Sequence, residues 1–172
     1  MRNDTTIKIL IIEDEAPVRM SMAAYLEDHG YKIFEAENGR AGLEVFRREI
    51  PDLVLVDLRM PEVDGLEVLA SVTEESPDTP IIVVSGTGVI GDAIEALRLG
   101  AWDYVLKPIS DMEVLLHAIQ NALEKFRLLV ENKMHQERLE DLVKKRTAKL
   151  EEEIEERKRT EKALRESEER YL

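Results

Sequence analysis

Four short apolar runs in this sequence end in polar groups that could do chemistry: Glu13-Asp14-Glu15, Asp57, Ser85-Gly86-Thr87 and Lys107-Pro108. Taken singly, each has an ordinary explanation. Acidic residues cap the helix that follows, Ser and Gly make turns, and a Lys-Pro pair ends a strand. Taken together they describe a site. If the runs are strands of one parallel sheet, with the first between the second and third, then Glu13, Asp14 and Asp57 converge at its carboxyl edge. Three carboxylates in one pocket repel one another, and two positive groups could compensate them, a hard divalent cation and the ammonium of Lys107. Oxygen-only ligation with open positions suits magnesium, and no cysteine or nearby histidine competes for a softer metal. A carboxylate held beside such a cation can attack a phosphoryl group and form an aspartyl phosphate.

Those side chains need a scaffold that brings the run ends together. Five apolar runs stand out, Ile7 to Ile12, Lys32 to Ala36, Leu53 to Asp57, Pro80 to Val84 and Trp102 to Leu106. Unbroken runs of this kind suit strands buried on both faces, as in parallel sheets covered by helices. Between them lie segments with helical spacing. Ala16 to His29 opens with Pro17 and closes before Gly30, Asn38 can cap the segment through Arg48, Gly65 begins one running to about Glu75, and Gly91 to Leu99 precedes Gly100. The order β-α therefore repeats five times, which predicts right-handed crossovers and an α/β, doubly wound fold with ligands at the strand ends.

Length and composition limit what else the chain can be. Its 172 residues suffice for one ordinary domain of roughly 100 to 150 residues plus a remainder too short for a second core. The absence of cysteine excludes disulfides and thiolate metal sites and favours a cytoplasmic protein. No apolar run reaches the roughly 18 residues of a membrane span, so no membrane partner is expected. The net charge of −13 is carried by residues 1–126, because residues 127–172 hold 13 basic and 13 acidic side chains. An acidic domain and a tail of interspersed signs argue against direct nucleic-acid binding.

The constellation resembles the CheY-like receiver domain of bacterial two-component response regulators over about residues 5–125, on the pieces IIEDE (11–15), VDLRMPEVDG (56–65), VVSGTG (83–88) and WDYVLKP (102–108). That resemblance implies a flavodoxin-like (βα)5 receiver with a five-stranded parallel sheet of order 2-1-3-4-5. It implies that Asp57 accepts phosphate from a sensor histidine kinase, a phosphotransfer protein or a small phosphodonor. Mg2+ would be bound by Asp14 and Asp57 directly, by Glu13 through water and by the backbone carbonyl of Arg59. Lys107 and Ser85 would contact the phosphoryl oxygens, Ser replacing the commoner Thr while keeping the hydroxyl donor. Tyr104 matches the switch aromatic, which turns inward when that hydroxyl moves toward phosphate. The Lys107-Pro108 peptide is expected to be cis. Arg59 and Thr87 flank the pocket and are candidates for tuning phosphate lifetime. Such a protein is a phosphoacceptor switch, catalysing only its own phosphotransfer and dephosphorylation.

After Pro108 there is no glycine or proline for 64 residues, and more than half of residues 127–172 are charged, which predicts one continuous helix extending the last receiver helix. At 1.5 Å per residue it would run roughly 90 Å. Leu115, Ala122, Leu129, Gln136, Val143, Leu150, Arg157, Leu164 and Tyr171 recur every seven residues, with Ile119, Phe126 and Ile154 on the complementary seam. That period predicts a parallel homodimer through residues 115–172. Lys133, Glu140, Thr147, Glu161 and Glu168 share the seam and should make the pairing marginal, while a lone solvated helix steadied by Glu/Lys pairs is the alternative. Residues 146–172 also resemble the helical linkers that precede PAS sensory domains. The expected division is thus a receiver over 1–125 and a coiled-coil linker over 126–172, with an output domain beyond the end of this sequence.

Two other functions fit parts of the pattern. An aspartate-nucleophile phosphatase would need an acid/base aspartate two residues after its nucleophile, where this chain has Arg59. An adaptor working without phosphate would not need the full set of pocket residues. His29, His117 and His135 are expected to be ordinary helix residues, since His135 lies in MHQER with no ATP-binding segment after it.

Overall fold

The computed structural model describes residues 6–86 and 90–171. The order of elements is β1 (Lys8–Ile12), α1 (Ala16–Asp28), β2 (Lys32–Ala36), α2 (Gly39–Glu49), β3 (Leu53–Val56), α3 (Gly65–Glu75), β4 (Ile81–Ser85), α4 (Ile90–Arg98), β5 (Asp103–Leu106) and α5 (Met112–Arg170). The strands form one sheet of order β2-β1-β3-β4-β5, and every pairing is parallel. This is the doubly wound sheet order with a long C-terminal helix that the sequence predicts.

Alternation along each strand divides the apolar residues between two cores. Leu10, Ile12, Val54, Val56, Ile81 and Val83 face one side, where Phe46 of α2, Val68, Leu69 and Val72 of α3 and Ala96 of α4 pack on them. Ile9, Ile11, Leu53, Leu55, Ile82 and Val84 face the other, beneath Met22 and Leu26 of α1 and Leu115 and Ile119 of α5. Each fully buried Leu, Ile or Val contributes about 1.5–3 kcal/mol relative to an exposed one, so the central strands are where the sheet is anchored. Burial on both faces holds for β1, β3 and β4. At the edges, β2 and β5 are partly exposed, with Lys32, Glu35, Asp103 and Leu106 open to solvent. An edge strand has one neighbour rather than two and tolerates such residues.

The helix ends follow from local chemistry. Asn38 Oδ1 accepts a hydrogen bond from Ala41 N at 2.8 Å, and Asp64 Oδ1 accepts from Glu67 N at 3.0 Å, so both residues cap as their types suggest. Gly30 and Gly100 follow α1 and α4 with φ of +87° and +110°, a conformation that costs other residues more. The end of α2 has no such signal. Ile50 adopts φ 49° although it is β-branched, immediately before Pro51, which disfavours a helical conformation in the residue preceding it. The Lys107-Pro108 peptide is cis.

The chain divides into two compact units, the first ending at Arg127 and the second beginning at Leu128. In the first unit Leu115, Ile119 and Ala122 are 0%, 0% and 5% exposed and belong to the core against the sheet. The seven-residue recurrence over these residues is therefore packing within the first unit. This corrects the expectation of a self-pairing seam that starts at residue 115, because these side chains have no surface left to offer a partner. In the second unit every described residue is exposed, including Leu129, Val143, Leu150, Ile154 and Leu164. No helix among the described residues is long and apolar enough to cross a membrane.

Candidate functional site

Register places the polar residues at one edge of the sheet. Ile12 is level with Ala36 and Val56, and Val56 with Val83, so Glu13 and Asp57 leave neighbouring strands side by side. Ser85, the last residue of β4, is level with Leu106, and Lys107 follows. The backbone ladder continues past the strands through Glu13 N to Ala36 O at 3.0 Å, Asp57 N to Ile12 O at 3.0 Å and Lys107 N to Ser85 O at 3.1 Å. Each functional side chain is thus carried on a hydrogen-bonded strand end and not on a free loop.

One ligand oxygen from each of Glu13, Asp14 and Asp57 lies within 4.8 Å of the others. Lys107 Nζ is 2.6 Å from Glu13 Oε2, 2.9 Å from Asp57 Oδ2 and 3.5 Å from Glu15 Oε1. The Lys107 side chain is 10% exposed and Glu13 only 1%, so these charges interact with little solvent screening. Burial alone would lower the Lys107 pKa. Hydrogen bonds to Glu13 and Asp57, with the charges of both carboxylates, outweigh it and hold the ammonium above its ordinary 10.5. For Glu13 burial wins, lifting the carboxyl above 4.5 despite the opposing hydrogen bonds from Lys107 and the Glu15 amide.

One ammonium does not balance three clustered carboxylates. The donor set is all oxygen, and Asp14 is only partly buried, so it can still be reached from solvent. Such a set fits a hard divalent cation that keeps some of its waters, as Mg2+ does. Ser85 is 0% exposed and its hydroxyl has no hydrogen-bond partner among the described residues. An unused buried donor at this edge suits a ligand that brings acceptor oxygens.

Other expected site residues are placed as follows. Arg59 N donates to Asp57 Oδ1 at 3.2 Å, while its guanidinium reaches Asp92 of α4 at 3.3 Å and is largely exposed. Tyr104 packs partly buried against the α2-α3-α4 core, with a buried hydroxyl that has no partner among the described residues. Thr87 lies outside the described residues. His29 is the C-cap residue after α1 and lies 2.7 Å from Tyr25 O, His117 sits on α5 3.1 Å from Asn121 Nδ2, and His135 lies 4.0 Å from Glu131 one turn away.

Three further residues shape the site, Glu15 and Gly65 from within IIEDE and VDLRMPEVDG and Arg19 with almost no mark in the sequence. Glu15 occupies the N-cap position of α1 but makes no side-chain cap bond, its carboxylate lying toward Lys107 instead. Gly65 lies so close to the strand end that a Cβ there would meet Leu58 Cα at 2.6 Å and the Asp57 carbonyl carbon at 2.7 Å. Arg19 Nη1 donates to the Glu13 carbonyl at 2.6 Å. The only sequence signal for Arg19 is that it is the one basic residue in α1. Beside the cluster, a cavity of about 540 Å3 is lined by residues including Glu15, Pro17, Val18, Lys107, Pro108 and Ile109.

A family model described as the response regulator receiver domain matches residues 9–120. Among curated proteins, the chain is 39% identical over 117 residues to regulatory protein AtoC of Escherichia coli strain K12, covering 68% of this chain and 25% of AtoC. It is 43% identical over 107 residues to the probable transcriptional regulator ycf27 of Pyropia yezoensis, covering 62% of this chain and 44% of that protein. The chain thus spans less than half the length of either relative. Among solved structures, a receiver domain protein from Clostridium thermocellum superimposes with a TM-score of 0.68 at 31% identity, over 72% of this chain and 98% of that one. The receiver domain of NtrX from Brucella abortus does so with a TM-score of 0.65 at 31% identity, over 67% and 98%.

Proposed function

This chain belongs to the response regulator receiver domain family of two-component systems, and from that premise we propose that it is a switch whose phosphoacceptor is Asp57. The observation that carries the proposal is the cluster of Glu13, Asp14 and Asp57 around Lys107 at the carboxyl edge of the sheet. Receiver domains bind Mg2+ at an acidic pocket of this kind and receive phosphate from histidine kinases and phosphotransfer proteins.

In the proposed reaction an Asp57 carboxylate oxygen attacks phosphorus of the donor, the bond from phosphorus to the donor's leaving group breaks, and an acyl phosphate forms. Asp14 and Asp57, with the Arg59 carbonyl and Glu13 through water, are the residues to hold Mg2+, which when bound offsets the charge of the pocket and the incoming phosphoryl group. Lys107 presents its ammonium to the phosphoryl oxygens, and Ser85 offers the hydroxyl that has no other partner. The group acts on the protein that carries it, so the outcome is a change of state and not turnover of a substrate.

Mass measurement after incubation with acetyl phosphate and MgCl2 tests this reading. One phosphoryl group should be gained, and excess chelator should abolish the gain almost completely, because among the described residues no second ammonium at the cluster replaces the cation's charge. Undiminished labelling in chelator would remove Mg2+ from the scheme. Lys107→Ala and Ser85→Ala should still take up some phosphate while losing most of the beryllofluoride-induced change in the amide spectrum of β5, where Tyr104 sits. Parent-like responses in both variants would disprove a switch that runs from these groups to Tyr104.

The long helix suggests how the state is passed on. Residues 1–125 act as the receiver and residues 126–172 as a linker of the kind that precedes PAS domains, leading to an output domain outside this sequence. Leu129, Val143, Leu150, Ile154 and Leu164 are 41–62% exposed and recur at coiled-coil spacing, which favours a parallel pairing with a second copy. Polar seam residues keep that pairing weak enough for receiver contacts to bias it. Light scattering should find dimers for the full chain and mainly monomers after removal of residues 128–172 at matched concentration. A monomeric full chain, or an antiparallel pair, would defeat this part of the proposal.

A further inference from the structure

Glu13 is held on every side. Its amide donates to Ala36 O at 3.0 Å, its Oε1 accepts from Glu15 N at 3.1 Å, its Oε2 lies 2.6 Å from Lys107 Nζ, and its carbonyl accepts from Arg19 Nη1 at 2.6 Å. The last contact differs in kind, because it fixes the main chain and not the carboxylate. That carbonyl belongs to the peptide joining Glu13 to Asp14, and since a peptide is planar, the direction of its C=O also sets the direction in which Asp14 leaves the strand.

We propose that Arg19 is a positioning residue for the acidic pocket: by clamping the Glu13 carbonyl from α1, with Glu35 of β2 holding its guanidinium, it orients Asp14 toward Asp57 for cation binding. The inference rests on the reading of that pocket as a Mg2+-dependent phosphoacceptor site. Arg19 suits the task on three counts. Its side chain is only 15% exposed, so its hydrogen bond is little weakened by water. Its Nε lies 3.3 Å from Glu35 Oε2, and the planar guanidinium presents Nη1 and Nε to its two partners in one rigid fork, which the point charge of an ammonium lacks. Because it meets a main-chain oxygen, it adds no further partner to the carboxylates of Glu13 and Asp14. Glu35 is more exposed, at 42%, and its ion pair among the described residues is with Arg19.

Calorimetric titration of the full chain with MgCl2, alongside thermal melting, tests the assignment. Arg19→Gln should weaken Mg2+ binding by about tenfold, the lower end of what loss of a residue supporting metal ligands does. Arg19→Lys should recover part of that loss, since an ammonium can reach the carbonyl but not Glu35 as well. Glu35→Gln should weaken binding by roughly two- to threefold in the parent and have no further effect beside Arg19→Gln, because it acts through Arg19. Phosphate uptake at saturating Mg2+ should return to within about threefold of the parent in Arg19→Gln, separating the supply of the metal from the chemistry at Asp57. Unchanged Mg2+ affinity in Arg19→Gln, or independent additive effects of the Arg19 and Glu35 substitutions, would overturn the inference while the parent still binds Mg2+ and takes up phosphate. A parent chain that does neither would overturn the site reading itself and this inference with it.

Discussion

Asp57→Asn should lower acid-labile phosphate uptake by on the order of a thousandfold or more, the scale on which loss of a nucleophile acts. An amide oxygen is a poor nucleophile, and no neighbouring carboxylate is an equivalent substitute. Glu13 is 1% exposed and committed to Lys107 and the Glu15 amide. The substitution keeps the shape of the side chain but only one of its two acceptor oxygens, so it can accept from Lys107 Nζ, 2.9 Å from Asp57 Oδ2, or from Arg59 N, 3.2 Å from Asp57 Oδ1, and not from both. It also removes one of three carboxylates whose oxygens lie within 4.8 Å of one another, relieving repulsion in the metal-free protein. That relief offsets the one lost hydrogen bond, so the variant should melt close to the parent while taking up almost no label, which separates a chemical loss from a folding loss. Equal labelling of the two proteins would assign the acceptor elsewhere.

Gly65→Ala should destabilise the receiver by about 3 kcal/mol, the upper range for overpacking a filled site, despite having no contact with ligand. Its Cβ would press on the Asp57 carbonyl oxygen, at 2.7 Å from the carbonyl carbon and 2.6 Å from Leu58 Cα. Those atoms are main chain and cannot rotate away. They are also held by Gly65 N donating to Leu58 O at 2.9 Å. Alanine at the start of α3 would recover at most about 1 kcal/mol of helix propensity, so the steric term wins. Gly30→Ala is the useful contrast, because φ there is +87° but nothing lies within 4 Å of the new atom, and its cost should be about 1 kcal/mol. Urea midpoints would rank the two. A Gly65→Ala protein with parent stability and parent phosphate uptake would show that the loop after Asp57 gives way more easily than its hydrogen bonds indicate.

Much of this protein is decided locally, and so can be read from residue types and spacing. Unbroken Val/Ile/Leu runs for β1, β3 and β4, Pro17 at the head of α1, Asn38 before α2 and glycines after α1 and α4 express steric and hydrogen-bonding preferences that need no distant partner. Repetition of the β-α unit then restricts the topology, because parallel strands demand crossovers of one hand. Convergence of Glu13, Asp14, Asp57 and Lys107 is legible for the same reason, since ligand positions in such sheets are set by strand order.

What only the tertiary structure decided involves competition between partners far apart in the chain. Glu15 sits where an acidic residue would cap a helix, yet its carboxylate is drawn toward Lys107, 92 positions away, which offers a charge instead of an amide. Arg19 is an ordinary residue within α1 and Gly65 the opening residue of α3 until the fold brings the Glu13 carbonyl to one and the Asp57 carbonyl to the other. The apolar recurrence from Leu115 has a single period in the sequence, but the sheet takes Leu115, Ile119 and Ala122 into the receiver core. Spacing reports that a face is apolar. Which surface covers that face depends on what the rest of the chain places against it.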